Sequence, residues 1–229
     1  MASIAVKLQQ VRERIAVACA AAQRPVQSVT LLAVSKTFGA DAVREAHAAG
    51  RSAFGENYVQ EALAKIAALA GLSPALEWHM IGPLQSNKTR EVAAAFDWVH
   101  SIDRLKIAER LSAQRPPGLP PLQVCLQVNV SGETSKSGVA PAALAALAHA
   151  VAALPNLRLR GLMSIPEPAT DTAAQRAPHC LLRGLFEALR REGLALDTLS
   201  MGMSADLEAA ISEGATIVRV GTAIFGSRS

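Results

Sequence analysis

The sequence predicts an α/β chain closed into a single eight-stranded (β/α)8 barrel of the TIM type, with one extra helix at its N-terminus. Three observations carry that prediction. Eight short apolar runs alternate along the 229 residues with longer stretches of helical periodicity. Such alternation calls for parallel strands joined by right-handed helical crossovers. Gly50, Gly71, Gly193 and Gly214 each follow a helical run, where a residue free to adopt the left-handed conformation closes the last turn. The length lies toward the short end of what eight such units occupy, so 1–229 is expected to be one domain. An open doubly wound sheet accepts the same alternation. It is disfavoured because no glycine-rich dinucleotide fingerprint follows the first strand.

The elements follow in order. Ile4, Leu8, Val11, Ile15 and Ala18 recur at helical spacing, and Lys7, Arg12, Glu13 and Arg14 interrupt the stretch. The segment 15–22 therefore reads as part of a charged amphipathic helix rather than the core of a signal peptide. Strands are expected at 30–35, 52–55, 77–81, 98–101, 122–130, 159–164, 197–200 and 216–220. Helices are expected at 41–49, 59–70, 87–95, 104–113, 142–154, 178–192 and 206–213. Pro141 sits where a first turn begins, a place that tolerates the missing N–H. The proline-rich stretch 115–121 reads as a loop ahead of the fifth strand.

Composition narrows the function. Aromatic residues make up 3% of the chain, too few to build a stacking platform for single-stranded nucleic acid. The net charge of +4 comes from scattered Lys and Arg, with no block of five or more positive charges, which argues against DNA or a membrane surface as partner. Cys19, Cys125 and Cys180 are odd in number and far apart, so a reducing, cytoplasmic setting is expected. No apolar run reaches the roughly 18–20 residues of a membrane span.

In a barrel the active site lies at the carboxyl ends of the strands, and the polar residues expected there are specific. Lys36 ends an apolar first strand, where desolvation favours a neutral, nucleophilic amine suited to a Schiff base. A lysine that merely snorkels to solvent is the plain alternative. Ser200 to Ser204 and the pair Gly221-Thr222 supply hydroxyls, glycines and backbone N–H groups after strands seven and eight. That is where barrels commonly bind phosphate. An inward lysine with two such loops points to a phosphate-bearing aldehyde, and pyridoxal 5'-phosphate is the candidate. Arg219 stands two residues before Gly221. A guanidinium facing a pyridine nitrogen opposes its protonation and limits the ring as an electron sink; a phosphate contact or an ion pair is the alternative role. His79 on the third strand is a pocket contact or a hydrogen-bonded core histidine. Asn57 either donates to a ring hydroxyl or caps a helix, and Glu56 is a base or a helix-end charge. No cluster has convincing metal-ligand spacing, and the sequence offers no clear His partner for Ser35 or Ser200, which leaves a hydrolase triad unsupported.

The runs Ala33-Val34-Ser35-Lys36-Thr37, Phe54-Gly55-Glu56-Asn57-Tyr58 and His79-Met80-Ile81-Gly82-Pro83-Leu84-Gln85-Ser86-Asn87-Lys88 resemble the YggS/PROSC family of pyridoxal-phosphate homeostasis proteins. So do Ser135-Lys136-Ser137-Gly138, Gly161-Leu162-Met163, the run from Leu199 to Ile211, and Arg219-Val220-Gly221-Thr222-Ala223-Ile224-Phe225-Gly226. The resemblance extends over nearly the whole chain. It implies a fold-type III barrel related to that of alanine racemase, with Lys36 forming the Schiff base and Arg219 facing the pyridine nitrogen. By the same resemblance Ser204, Gly221, Thr222 and Ser200 bind the phosphate, and Asn57 and His79 lie near the ring. Phe38-Gly39 departs from the Lys-Pro pair that often follows the family's lysine.

The implied role is to carry or buffer the cofactor, affecting amino-acid and keto-acid balance, with apo pyridoxal-phosphate enzymes as recipients and a monomer as the acting form. The alternative is a racemase of small amino acids. Racemisation needs an acid/base on each face of the substrate, and Tyr58 is the sole tyrosine available. A pure protein-interaction module leaves the converging polar loops without a purpose.

Overall fold

Eight parallel strands close on themselves in chain order. They are β1 (Thr30–Val34), β2 (Ala53–Glu56), β3 (Glu77–Met80), β4 (Trp98–Ile102), β5 (Leu122–Gln127), β6 (Leu157–Met163), β7 (Thr198–Ser200) and β8 (Ile217–Val220). Closure is made by β8 against β1, with Leu32 opposite Arg219 and Ala33 opposite Val220. The computed structural model describes residues 2–132 and 137–226; Ser135 and Lys136 of the motif 135–138 lie outside them.

The helices are α1 (Ile4–Ala21), α2 (Ala40–Ala48), α3 (Val59–Leu69), α4 (Thr89–Ala95), α5 (Leu105–Gln114), α6 (Leu144–Ala152), α7 (Thr172–Arg191), α8 (Leu207–Ser212) and α9 (Thr222–Phe225). α1 is the extra helix, started by the Ser3 side chain accepting from the Val6 N–H; Leu8, Val11 and Ile15 form its buried stripe. Two differences from the sequence reading have clear causes. α7 begins at Thr172, well before 178, because Asp171 caps it by accepting from the Ala174 N–H. Pro178 therefore lies inside the helix instead of opening it. α9 was not expected: it is a single turn that starts directly from the Gly221 loop.

Strand alternation sorts the apolar residues into two compartments. Leu31 and Ala33 join Val43 and Ala46 in the large cluster between sheet and helices. Leu32, Val34, Ala53, Ile81 and Ile217 form a separate cluster, and Trp98, Cys125 and Met163 another, inside the barrel. Between those two interior clusters runs a polar seam of His79, His100, Ser200 and Arg219, all buried. Gly161 permits the tight approach of β6 to β7, since a Cβ there would stand 1.7 Å from the Thr198 carbonyl oxygen. Among the described residues, no helix is long and apolar enough to cross a membrane.

Candidate functional site

A cavity of about 290 Å³ opens at the carboxyl ends of the strands. Lys36, Asn57, Ser204, Arg219, Gly221 and Thr222 line it together, from β1, β2, the β7–α8 loop and β8. Val34, Ile81 and Met203 supply apolar wall. Phe38 also lines it and stacks on Phe225 at 5.2 Å, so the departure from the Lys-Pro pair puts an aromatic ring on this rim.

The turn that carries Lys36 is held on both sides by one buried charge cluster. Ser35 Oγ donates to Glu56 Oε1 at 2.6 Å, and the Ser35 carbonyl accepts from Lys65 Nζ at 2.7 Å. Lys65 also pairs with Glu56 at 2.7 Å and with Glu61 at 2.6 Å, which uses all three of its donors. Glu61 Oε1 in turn accepts from the Thr37 N–H at 2.6 Å. Thr37 adopts φ +68°, a left-handed conformation that costs a β-branched residue energy and must be stabilised by its surroundings. Burial pushes the Glu56 carboxyl up from its usual value, against the hydrogen bonds from Lys65 and Ser35. Glu56 is thus an internal ion-pair partner rather than a base facing the cavity.

The second loop is fixed from two directions. Asp206 Oδ1 accepts from the Met203 N–H at 2.7 Å, and Oδ2 accepts from His179 Nε2 of α7 at 2.9 Å. From outside, Arg14 of α1 donates to the Ser204 carbonyl at 3.0 Å while pairing with Glu208. Gly202, at φ +91°, lets the chain turn between β7 and this loop, where a Cβ would strike Ala210 at 2.5 Å. Asn57 is seated against Gly82, whose absent side chain leaves room for the Asn57 backbone; a Cβ there would lie 2.4 Å from its carbonyl oxygen.

Burial works against the Asp206 carboxylate, yet the hydrogen bonds from His179 and the Met203 N–H, with the nearby Arg219 charge, hold it below its usual value. Its folded value is depressed, so its stabilisation is complete above the unfolded value near 3.9 and is lost as pH falls through the lower folded one. Asp206→Asn is expected to cost about 2 kcal/mol at pH 7. Thermal melts of both proteins should converge as the pH falls below the unfolded value and through the lower folded one. A gap that stayed constant through acid unfolding would refute the assignment.

His79 and Ser200 are not among the cavity-lining residues; they lie beneath it. His79 points down the barrel interior, where Nε2 meets Glu77 at 2.6 Å and Nδ1 meets His100 at 2.9 Å, so the core-histidine alternative describes its position. Ser200 is fully buried and holds Arg219, through Oγ at 2.9 Å and its carbonyl at 2.6 Å. Arg219 donates a further bond to the Ser164 carbonyl at 2.7 Å. Burial lowers its guanidinium to about 10, so it remains cationic at neutral pH.

Lys65, Glu61, His100, His179 and Asp206 were not singled out from the sequence. For Lys65 a signal existed: it falls on the same face of α3 as Val59, Ala62 and Leu69, and a charge on an apolar stripe needs a buried partner.

A barrel with these cavity-forming loops belongs to the alanine racemase N-terminal-domain class, whose family model matches residues 6–229. Within it, the chain is 65% identical over 228 residues to the pyridoxal phosphate homeostasis protein of Pseudomonas aeruginosa, covering all of this chain and 97% of that one. It is 54% identical over 229 residues to the protein of that name in Escherichia coli, covering 98% of it. PipY of Synechococcus elongatus, solved with PLP bound, superposes with a TM-score of 0.86 at 42% identity, over 98% of this chain and 100% of that one. The chain belongs to the family of pyridoxal phosphate homeostasis proteins.

Proposed function

We propose that this protein holds pyridoxal 5'-phosphate covalently through Lys36 Nζ and maintains a bound reserve that passes to apo-enzymes. The observation that carries the reading is the convergence of Lys36, Arg219 and the two loops at Ser204 and Gly221-Thr222 on one cavity. The donor set suits the group part by part. Lys36 is an amine for the aldehyde. The hydroxyls of Ser204 and Thr222 suit a phosphate, with Gly221 allowing close approach. Arg219 suits an unprotonated pyridine nitrogen. Asn57 Oδ1 is buried in the wall with no hydrogen-bond partner among the described residues, an acceptor awaiting a donor such as the ring hydroxyl.

When bound, the cofactor supplies an aldehyde carbon that an amine captures and a ring that absorbs near the visible. The chain's own part is to bind and hold. The Glu56–Lys65–Glu61 cluster fixes the backbone on either side of Lys36, and Arg219 keeps positive charge where a second one is unfavourable. That arrangement favours retention and release over carbanion chemistry. The residues of the cavity all come from the one barrel, in keeping with a single-domain carrier. The racemase reading gains no support from Tyr58, which is 53% exposed and does not line the cavity.

Cofactor transfer tests this. Holoprotein mixed with an apo pyridoxal-phosphate enzyme is expected to reactivate it, and an added trap for free cofactor separates direct delivery from release into solution. No reactivation under either condition would contradict the carrier role. Stereoinversion of a single amino-acid enantiomer at enzymic rates, with solvent deuterium at the α-carbon, would establish the racemase instead.

A further inference from the structure

From the cavity to the opposite end of the barrel, buried side chains form one continuous hydrogen-bonded line. Arg219 Nη1 meets Ser200 Oγ at 2.9 Å, Ser200 Oγ meets His100 Nδ1 at 2.8 Å, His100 Nε2 meets His79 Nδ1 at 2.9 Å, and His79 Nε2 meets Glu77 Oε1 at 2.6 Å. Glu77 opens β3 at the amino end of the barrel and is half-exposed, whereas both histidines are buried. His79 is stacked on Trp98 at 5.3 Å with the rings 7° from parallel, and the Arg160 guanidinium lies over the Trp98 ring at 4.8 Å from its centroid.

The chemistry assigns a direction to the line. A guanidinium only donates, so Ser200 Oγ accepts from Arg219 and has its own proton to give to His100 Nδ1. Desolvation, with the neighbouring Arg219 charge, holds His100 well below its usual value, so it is neutral and carries one ring proton. With Nδ1 accepting, that proton sits on Nε2 and is donated to His79 Nδ1. His79 then donates from Nε2 to Glu77, which the His79 hydrogen bond keeps below the usual carboxylate range and therefore ionised. Every atom has one role and none conflict. The reverse order needs both ring nitrogens of His79 protonated at once, since Glu77 still accepts. The other titratable groups near this line are Asp97 and Arg160 at its lower end, and Asp206 and the Cys125 thiol, which burial pushes up to about 12 and keeps neutral, beside Arg219.

We propose that Glu77 is a remote positioning residue for Arg219: by ordering His79, His100 and Ser200 into one donor direction, it sets how the guanidinium presents its charge to the cavity. That the charge meets a cofactor ring rests on the function proposed above. The ordering itself does not, and the experiment separates the two.

Histidine-labelled apoprotein near neutral pH, followed by long-range proton–nitrogen correlation, is expected to show His79 and His100 each as a single Nε2–H tautomer. Glu77→Ala should turn both into tautomer mixtures. Glu77→Gln, which keeps an acceptor oxygen, should restore the single form. Ser200→Ala should disturb His100 from the other end without touching the exposed carboxylate. Either ring in the Nδ1–H form in the parent protein, or an unaltered His100 in Glu77→Ala, overturns the ordering. On adding pyridoxal 5'-phosphate, Glu77→Ala should shift the absorption maximum of the bound group while Glu77→Gln does not, at equal cofactor content and unchanged melting temperature. Identical spectra in all three proteins overturn the link to Arg219. Failure of every protein to take up cofactor would refute the function proposed above and leave the tautomer result standing.

Discussion

Lys36→Ala is expected to remove the near-visible absorption band of the cofactor-loaded protein and the mass increment that borohydride reduction fixes in the parent. Cofactor retention through gel filtration should fall at least about tenfold, the equivalent of about 1.4 kcal/mol, because only non-covalent contacts remain. The reason is positional. Lys36 lines the cavity with Arg219, Ser204 and Thr222, and it follows directly from a strand whose Leu32 and Val34 lie in the barrel interior. Lys36→Arg separates charge from chemistry: it keeps a cation at the site but offers no nucleophilic amine, so it should lose the band as completely as alanine does. A band that survived in either variant would transfer the covalent role to a different amine.

Lys65→Met should lower stability by about 3–5 kcal/mol, the usual result of leaving a buried charge without its partner. For a chain of this size that corresponds to roughly 10 °C in melting temperature. Among the described residues Lys65 is the sole cation bonded to the buried Glu56, and it also supports the Ser35 carbonyl and Glu61. Glu56→Leu in the same chain should recover part of the loss, because the stranded carboxylate is then gone. Cofactor loading should slow as well in the single variant, since the Ser35 carbonyl loses its donor and Glu61, which holds the Thr37 N–H, loses its cation. A melting temperature within about 2 °C of the parent would show that the cluster contributes little.

The residues of the candidate site were legible in sequence because barrels place their sites at strand ends. Once the eight apolar runs were recognised, Lys36, Asn57, Ser204, Arg219, Gly221 and Thr222 fell at those ends by counting alone, and the structure brings them to one cavity. His79 and Ser200 satisfied the same count, yet they line no part of it. Strand alternation tells which face a side chain takes but not its height along the barrel axis, and His79 sits two residues into β3 with Trp98 stacked against it. α7 shows a similar limit: Pro178 is a true helix signal placed against the wrong boundary, because the cap that starts the helix is Asp171.

The amino-acid order by itself determined the barrel, its extra first helix and the loops that face its mouth, because hydrophobic periodicity and glycine punctuation are local properties of the chain. Tertiary structure alone decided which charges meet inside. The contacts of Ser35 with Lys65, of His100 with Ser200 and of His179 with Asp206 span 30, 100 and 27 residues. Such buried polar groups are tolerated only where folding supplies a partner, and no local pattern says which distant residue that partner will be.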